Sequence, residues 1–127
     1  MNRRLVALLA CWLALTANAL ADCKVHKGEN VVLYSTTENP SVLIWDSRAR
    51  LRDYHAASFD AAQAMLPHAL LAAPGTHASV IACIPNSVTS PLFSAPDDAI
   101  GVIITAGPYR GAARWVLGSD VRPEPKR

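Results

Sequence analysis

The sequence has almost no excess of charge of either sign. Its 127 residues include 12 lysines and arginines against 10 aspartates and glutamates. Two of the basic residues lie in a predicted signal peptide, so the segment 22–127 carries 10 residues of each sign. Binding to nucleic acid requires a concentrated cationic surface, and we therefore expect no nucleic-acid partner. A short basic cluster, Arg48, Arg50 and Arg52, is interpreted as a solvated face.

The sequence also lacks an apolar run long enough to span a membrane. Its longest run, residues 5–15, has about eleven residues, whereas a spanning helix needs about 20. Two arginines precede this run and a small-x-small site ends at Ala21, which is typical of a secretory signal peptide over residues 1–21. We therefore expect a periplasmic or secreted protein with no membrane span after cleavage. An uncleaved anchor and lipid attachment at Cys11 are the alternatives.

Cysteine is scarce, with three residues in the chain. Cys11 lies in the predicted signal peptide, which leaves Cys23 and Cys83 as a pair in an oxidising compartment. We predict that these two form a disulfide. Closing a loop of about sixty residues should stabilise the fold by roughly 4 kcal/mol. The alternative is a reactive thiol at Cys23, near His26.

Common enzyme and metal motifs are missing. The histidines follow no zinc-binding spacing, and there is no nucleophile elbow, no paired-histidine helix motif and no phosphate-binding glycine loop. The four histidines are His26, His55, His68 and His77. We expect no metal, no cofactor and no catalytic residue. Asp97 and Asp98 are interpreted as a turn or edge-guarding pair, and a hydrolase that uses this pair or Cys23 is the enzymatic alternative.

Short β-branched runs are abundant and predict a mainly β fold. The strongest is residues 99–105, followed by a shorter strand at 114–117, and two glycines and a proline between them predict a hairpin loop. Further strands are predicted over 31–36 and 76–85. The proline-containing segment 86–98 is predicted to be a loop.

One segment of the chain has a mixed pattern. Residues 41–54 fit either a strand or a helix beginning at Pro40, and the alternation of arginines favours extended structure. Residues 58–66 predict a short α-helix, because Ser58 can cap it and apolar residues recur at helical spacing. Its predicted apolar face consists of Phe59, Ala62, Met65 and Leu66.

Three further segments carry a shared pattern. They are residues 31–36, then Leu70-x-x-x-Pro74-Gly75-Thr76-x-x-x-Val80, and then Gly111-x-x-x-Trp115-Val116-x-x-Ser119-Asp120-Val121. Together they resemble the bacterial SH3-like (SH3b) domain, a small barrel often found in exported proteins. The resemblance implies an SH3-like barrel over residues 22–122, with an insertion at 40–68 that contains one short α-helix. A 3₁₀ turn is expected at 118–120, and residues 123–127 are expected to form a flexible tail.

The resemblance implies a binding module rather than an enzyme. Peptide ligands of SH3-like barrels lie across an aromatic-lined groove between loops, so a cell-wall peptide or an envelope protein is the expected partner. Tyr109 and Arg110 at the predicted hairpin tip, together with Tyr54, are the candidate ligand-binding residues. Trp45 and Trp115 are interpreted as core. The alternatives are a small secreted inhibitor or immunity-type protein, and a structural protein of unknown function.

Overall fold

The computed structural model describes residues 23–37 and 39–125. The predicted signal peptide lies outside the described residues. The described chain forms a mainly β structure in which the strands are β1 (Asn30–Leu33), β2 (Val42–Trp45), β3 (Ala69–Ala72), β4 (Thr76–Val88), β5 (Asp97–Ile104), β6 (Ala113–Leu117) and β7 (Val121–Pro123). The helices are α1 (Arg48–Ala56) and α2 (Phe59–Met65), and 3₁₀ turns lie at Leu66–His68 and Gly118–Asp120. In this part of the chain, no helix has the length and hydropathy needed to cross a membrane.

The seven strands form one sheet in the order β3-β2-β6-β5-β4-β1-β7. All neighbouring strands are antiparallel, and the sheet curls into a half-barrel. The prediction of a mainly β fold is therefore confirmed. In this order β3 and β7 are the two edge strands, because each pairs with one strand only and the two do not pair with each other.

The predicted hairpin between residues 99–105 and 114–117 is confirmed as β5 and β6. Gly107 and Gly111 have φ angles of 85° and 88°, which residues other than glycine rarely adopt. The Gly111 N–H donates to the Ile104 carbonyl at 2.8 Å. The 3₁₀ turn expected after β6 is present at Gly118–Asp120.

The strand β4 is longer than predicted. It continues through Val88, so the loop between β4 and β5 covers residues 89–96 instead of 86–98. The pairing of β4 with β5 shifts register twice along its length. Such bulges increase the local twist of a strand, and they let this strand follow the curl of the half-barrel.

The prediction of extended structure over residues 41–54 is wrong beyond Trp45. Residues 48–56 form α1, so the inserted segment contains two α-helices rather than one. The Ser47 side chain caps α1 by accepting the Arg50 backbone N–H at 3.1 Å, which satisfies a donor that has no partner inside the helix. Leu51 is only 1% exposed and anchors α1 on the sheet.

The predicted helix over residues 58–66 is confirmed as α2. Ser58 is its N-cap residue but makes no capping hydrogen bond through its side chain. Met65 packs in part against the core, whereas Phe59 is 77% exposed. The predicted apolar face of α2 is therefore only partly covered in the described chain.

Apolar side chains alternate between the two faces of the sheet and bury one cluster on each. The first cluster contains Val31, Leu33, Val42, Ile44, Val80, Ile100, Val102, Ile104 and Val116, with Val25 and Val121. The second cluster contains Trp45, Leu51, Val88, Ala99 and Leu117, with Trp115 packed against it. Trp45 is fully buried, as predicted for a core residue. The second cluster lies between the sheet and α1, and it forms the floor on which the candidate site is built.

The predicted disulfide between Cys23 and Cys83 is present, with the two Cα atoms 6.4 Å apart. It ties the start of the described chain to β4. Val25 is then buried in the first cluster, and the Gly28 N–H donates to the Val80 carbonyl at 2.7 Å.

The predicted start of the C-terminal tail at residue 123 is wrong. Pro123, placed in the tail by the sequence analysis, is the last residue of β7, which pairs with β1. The Glu124 N–H donates to the Asn30 carbonyl at 3.2 Å. The sheet therefore holds the chain two residues beyond the predicted domain boundary at residue 122.

Candidate functional site

Two adjoining clefts open beside the loop of residues 89–96. The first cleft has a volume of about 490 Å³ and is bounded by residues 94–98 and by Lys24. The second cleft has a volume of about 480 Å³ and lies over α1 and the second cluster. Thr36, Leu92, Phe93 and Ser119 line both clefts. The two clefts are therefore neighbours that share the Leu92–Phe93 segment as a common wall.

The second cleft has an aromatic wall built by α1 and the loop. The Tyr54 ring lies 4.8 Å from the Trp45 ring, which fixes it against the core. His55 packs edge-on against Tyr54, with ring centroids 5.0 Å apart, and its other neighbour is the Phe93 ring at 5.4 Å. Centroid separations of this size are those of stabilising aromatic pairs. The wall is therefore a packed stack rather than a set of free side chains.

A carboxyl group also lines this cleft. Asp120 lies in the 3₁₀ turn after β6, and burial together with the nearby Asp97 carboxylate raises its pKa to about 6. A backbone hydrogen bond from Thr36 and the charge of Arg122 act in the opposite direction. The balance favours the neutral acid at weakly acidic pH, and this group can bind a cationic partner once it is ionised.

The pKa of the His55 imidazole is shifted in the opposite direction to that of Asp120. Burial lowers its pKa, and the Asp97 carboxylate offsets part of that effect. The neutral ring is therefore favoured at neutral pH. In that form it offers the cleft one hydrogen-bond donor and one acceptor between two aromatic neighbours.

The carboxylates of Asp97 and Asp98 hold the backbone around the clefts. The Asp97 carboxylate accepts the Ser119 N–H at 3.2 Å, and the Asp98 carboxylate accepts the Asn86 N–H at 3.0 Å. Asn86 has a φ of 52°, a conformation that asparagine tolerates better than most residues. The two aspartates are predicted to be a turn or edge-guarding pair, and the edge-guarding alternative is wrong, because they begin β5, which lies between β4 and β6 in the sheet.

The structure does not bring the three predicted binding residues together. Tyr54 lines the second cleft. Tyr109 is partly buried against the first cluster, on the other face of the sheet, and Arg110 is exposed on the hairpin. Neither of the two clefts is lined by Tyr109 or Arg110. The hairpin tip and the second cleft are thus separate surfaces.

One group of possible metal-ligating atoms occurs within residues 23–37 and 39–125. It consists of the two sulfurs of Cys23 and Cys83 and a carboxylate oxygen of Asp98, all within 4.8 Å of one another. Both sulfurs are already bonded to each other, so they cannot act as thiolate ligands. Cys23 is likewise not a free thiol for catalysis.

No motif in the sequence marks His55, Phe93 and Asp120 as members of one site. They come from α1, from the loop of residues 89–96 and from the 3₁₀ turn after β6. The one available signal is the spacing of Leu51, Tyr54 and His55, which places them on one face if the segment is read as a helix.

Comparison with protein-family models, with curated proteins and with solved structures finds no match to this chain.

Proposed function

We propose that this chain is an exported, non-enzymatic binding module that recognises a cell-wall peptide or an envelope protein, and that the second cleft is its ligand site. The observation that carries the proposal is the composition of this cleft. It joins a packed aromatic wall formed by Tyr54, His55 and Phe93 to the carboxyl group of Asp120. Concave sites with an apolar lining and a few polar groups are the usual form of ligand sites.

The surroundings of the second cleft support this proposal. Leu92, on the shared wall, is 92% exposed, so its apolar surface is accessible to a ligand in the cleft. A ligand in the cleft would cover Leu92 and Phe93 together. Each Å² of apolar surface that the ligand removes from water would favour binding by about 25 cal/mol.

We also propose that the half-barrel is an SH3-like domain over residues 22–122. Its support is the placement of Trp115 on β6 and the 3₁₀ turn Gly118–Asp120 that follows, as the resemblance expects. In such a domain the inserted segment 40–68 supplies α1, and with it one wall of the ligand site.

The test is direct binding of purified protein to two probes, soluble peptidoglycan fragments and envelope-protein extract. We expect binding to one probe. Leu92→Asp should reduce this binding by at least about tenfold, because it replaces an apolar contact of the cleft wall with a carboxylate. Since Leu92 is exposed, the same change should have little effect on folding. Arg110→Ala is the matched control at the hairpin. Binding to neither probe, or binding unchanged by Leu92→Asp, would contradict the proposed site.

A small inhibitor or immunity-type protein is the second candidate. The exposure of Arg110 on the β5–β6 hairpin favours it, since a hairpin loop on a rigid sheet can enter a partner's cleft. Under this alternative, Arg110→Ala weakens a tight complex with the partner and Leu92→Asp does not. The same two variants therefore separate the two functions.

A further inference from the structure

One edge strand of the sheet, β3, contains neither a charged residue nor a proline. The strand β3 (Ala69–Ala72) pairs with β2 on one side, and no strand of the described chain lies on its other side. Its sequence is Ala-Leu-Leu-Ala, without the proline or charge that proteins use to block an edge strand. The opposite edge differs, because β7 contains Arg122 and ends in Pro123.

The open edge of β3 adjoins the second cleft. Leu71 pairs across the strands with Leu43, and both side chains line this cleft. Leu71 is 53% exposed. Side chains of neighbouring antiparallel strands that lie opposite each other share a face. A strand added beside β3 would therefore direct every second side chain toward the face that carries the cleft.

The charges around the clefts favour a cationic ligand. Asp97, Asp98 and Asp120 line the two clefts, against one cation, Lys24, in the first. Among the described residues that line the second cleft there is no lysine or arginine. Arg122 acts on Asp120 from the neighbouring strand, so three carboxyl groups stand against two cations, Lys24 and Arg122, around the two clefts.

We infer that β3 is a strand-addition site, which takes an extended segment of a partner protein with an apolar side chain over Leu71 and a lysine or arginine directed to Asp120. This inference rests on the proposed function and names the ligand of the same cleft. Main-chain hydrogen bonds to β3 would supply affinity, and the cleft would supply specificity through alternate side chains. The apolar and the basic residue of the partner then lie an even number of positions apart, because they share a face.

A partner segment fits this surface better than a second copy of the chain does. Two copies paired through β3 would bring together two Ala-Leu-Leu-Ala strands. Neither strand carries a cation to meet the carboxyl groups of the clefts. Pairing between copies would thus leave the charge of the site uncompensated.

The test uses random linear dodecapeptides displayed on phage and selected on the purified full chain. We expect enriched peptides to combine apolar residues with a lysine or arginine on the same alternating face. The enriched sequence is then synthesised with single N-methyl groups at successive backbone nitrogens. In a strand, only every second N–H faces β3, so N-methylation should weaken binding by about tenfold or more at alternate positions and little at the others.

Two protein variants complete the test. Leu71→Lys should weaken the peptide by about tenfold or more, because it places a cation beside a cationic ligand. The matched control is Ile103→Lys, at a position 38% exposed on the central strand β5, which should leave binding unchanged. Sedimentation of the free protein shows whether copies associate.

The outcomes separate this inference from the proposed function. Peptides that bind and are lost in Leu92→Asp, but show no alternation on N-methylation, would refute strand addition and leave the cleft as a ligand site. If no enriched peptide loses binding in Leu92→Asp, both strand addition at β3 and the second cleft as a peptide-binding site would be refuted. A dimer that Leu71→Lys dissociates would identify a second copy as the occupant of β3 and overturn the inference.

Discussion

Replacing Asp120 with asparagine removes the one carboxyl group whose pKa is raised to about 6 in the described chain. Burial and the Asp97 carboxylate favour its neutral form, against the Thr36 backbone hydrogen bond and Arg122. The asparagine amide has a similar shape and can still accept the Thr36 N–H. The variant therefore imitates the protonated acid at every pH and isolates the effect of ionisation.

The size of the effect follows from the difference between the two pKa values. The ordinary value is 3.8 and the folded value is about 6, which corresponds to an upper limit of about 3 kcal/mol. Because Asp120 keeps partial contact with solvent, we expect about 1–2 kcal/mol. The pKa is raised on folding, so this contribution to stability is fully present below the unfolded value of 3.8 and is lost as the pH rises through about 6.

The assay is urea unfolding of the wild type and Asp120→Asn between about pH 4 and pH 8. The two proteins should have similar stability at about pH 4, and the variant should become more stable by about 1–2 kcal/mol above about pH 6. His55 has a lowered pKa, so its contribution is present above its ordinary value of 6.5 and is lost as the pH falls. Since His55 titrates in both proteins, its effect largely cancels in the difference.

A control variant, Asp53→Asn, makes the same chemical change at an exposed aspartate on α1, where a surface substitution should change stability by less than about 0.5 kcal/mol. A stability difference for Asp120→Asn that does not change between about pH 4 and pH 8 would refute the argument, because it would mean that the carboxyl group is not destabilised by its surroundings.

Three further changes test the packing beneath the site. Replacing both disulfide cysteines with serine should reduce the free energy of unfolding by about 4 kcal/mol, because the bond closes a loop with a sequence separation of 60; reduced wild type should unfold at the same urea concentration as this variant. Leu51→Ala should cost about 2–5 kcal/mol in the same assay, whereas Leu92→Ala, at an exposed position, should cost less than about 0.5 kcal/mol. Trp45→Phe should change stability little, because removing the buried Nε1, which has no hydrogen-bond partner among the described residues, offsets the packing that is lost. Trp45→Ala should reduce the free energy of unfolding by about 3–5 kcal/mol.

Much of the sheet can be predicted from the sequence because its signals are local. β-branched runs correspond to β1, β4 and β5, and the glycines of the 105–112 segment correspond to the hairpin turn. The disulfide follows from counting cysteines outside the predicted signal peptide. None of these inferences requires knowledge of which strands are neighbours.

The helix α1 was mispredicted because its strongest pattern comes from residues that do not pack. Arg48 and Arg52 are exposed, and Arg50 forms an ion pair with Asp46, so their alternation carries no information about a buried face. Leu51 is the one fully buried residue of the helix. Arginine, alanine and leucine all have high helix propensity, and the hydroxyl of Ser47 as a cap was the decisive local signal.

The candidate site could not be predicted because it is assembled from distant segments. Tyr54 is a predicted binding residue, and it does line the second cleft. Phe93 and Asp120 reach the same cleft only because β4, β5 and β6 lie side by side and return the chain to one end of the sheet. No short stretch of the sequence contains that information.

The pairing of β1 with β7 joins the first strand of the sheet to the last. Val31 lies opposite Pro123, and Leu33 opposite Val121. The pairing of β1 with β7 can therefore form only after residues 121–123 have been synthesised. The β4–β5–β6 meander needs only nearby residues and is able to form earlier. During synthesis the meander can therefore act as a template, and the half-barrel is completed only when the C-terminal strand has been made.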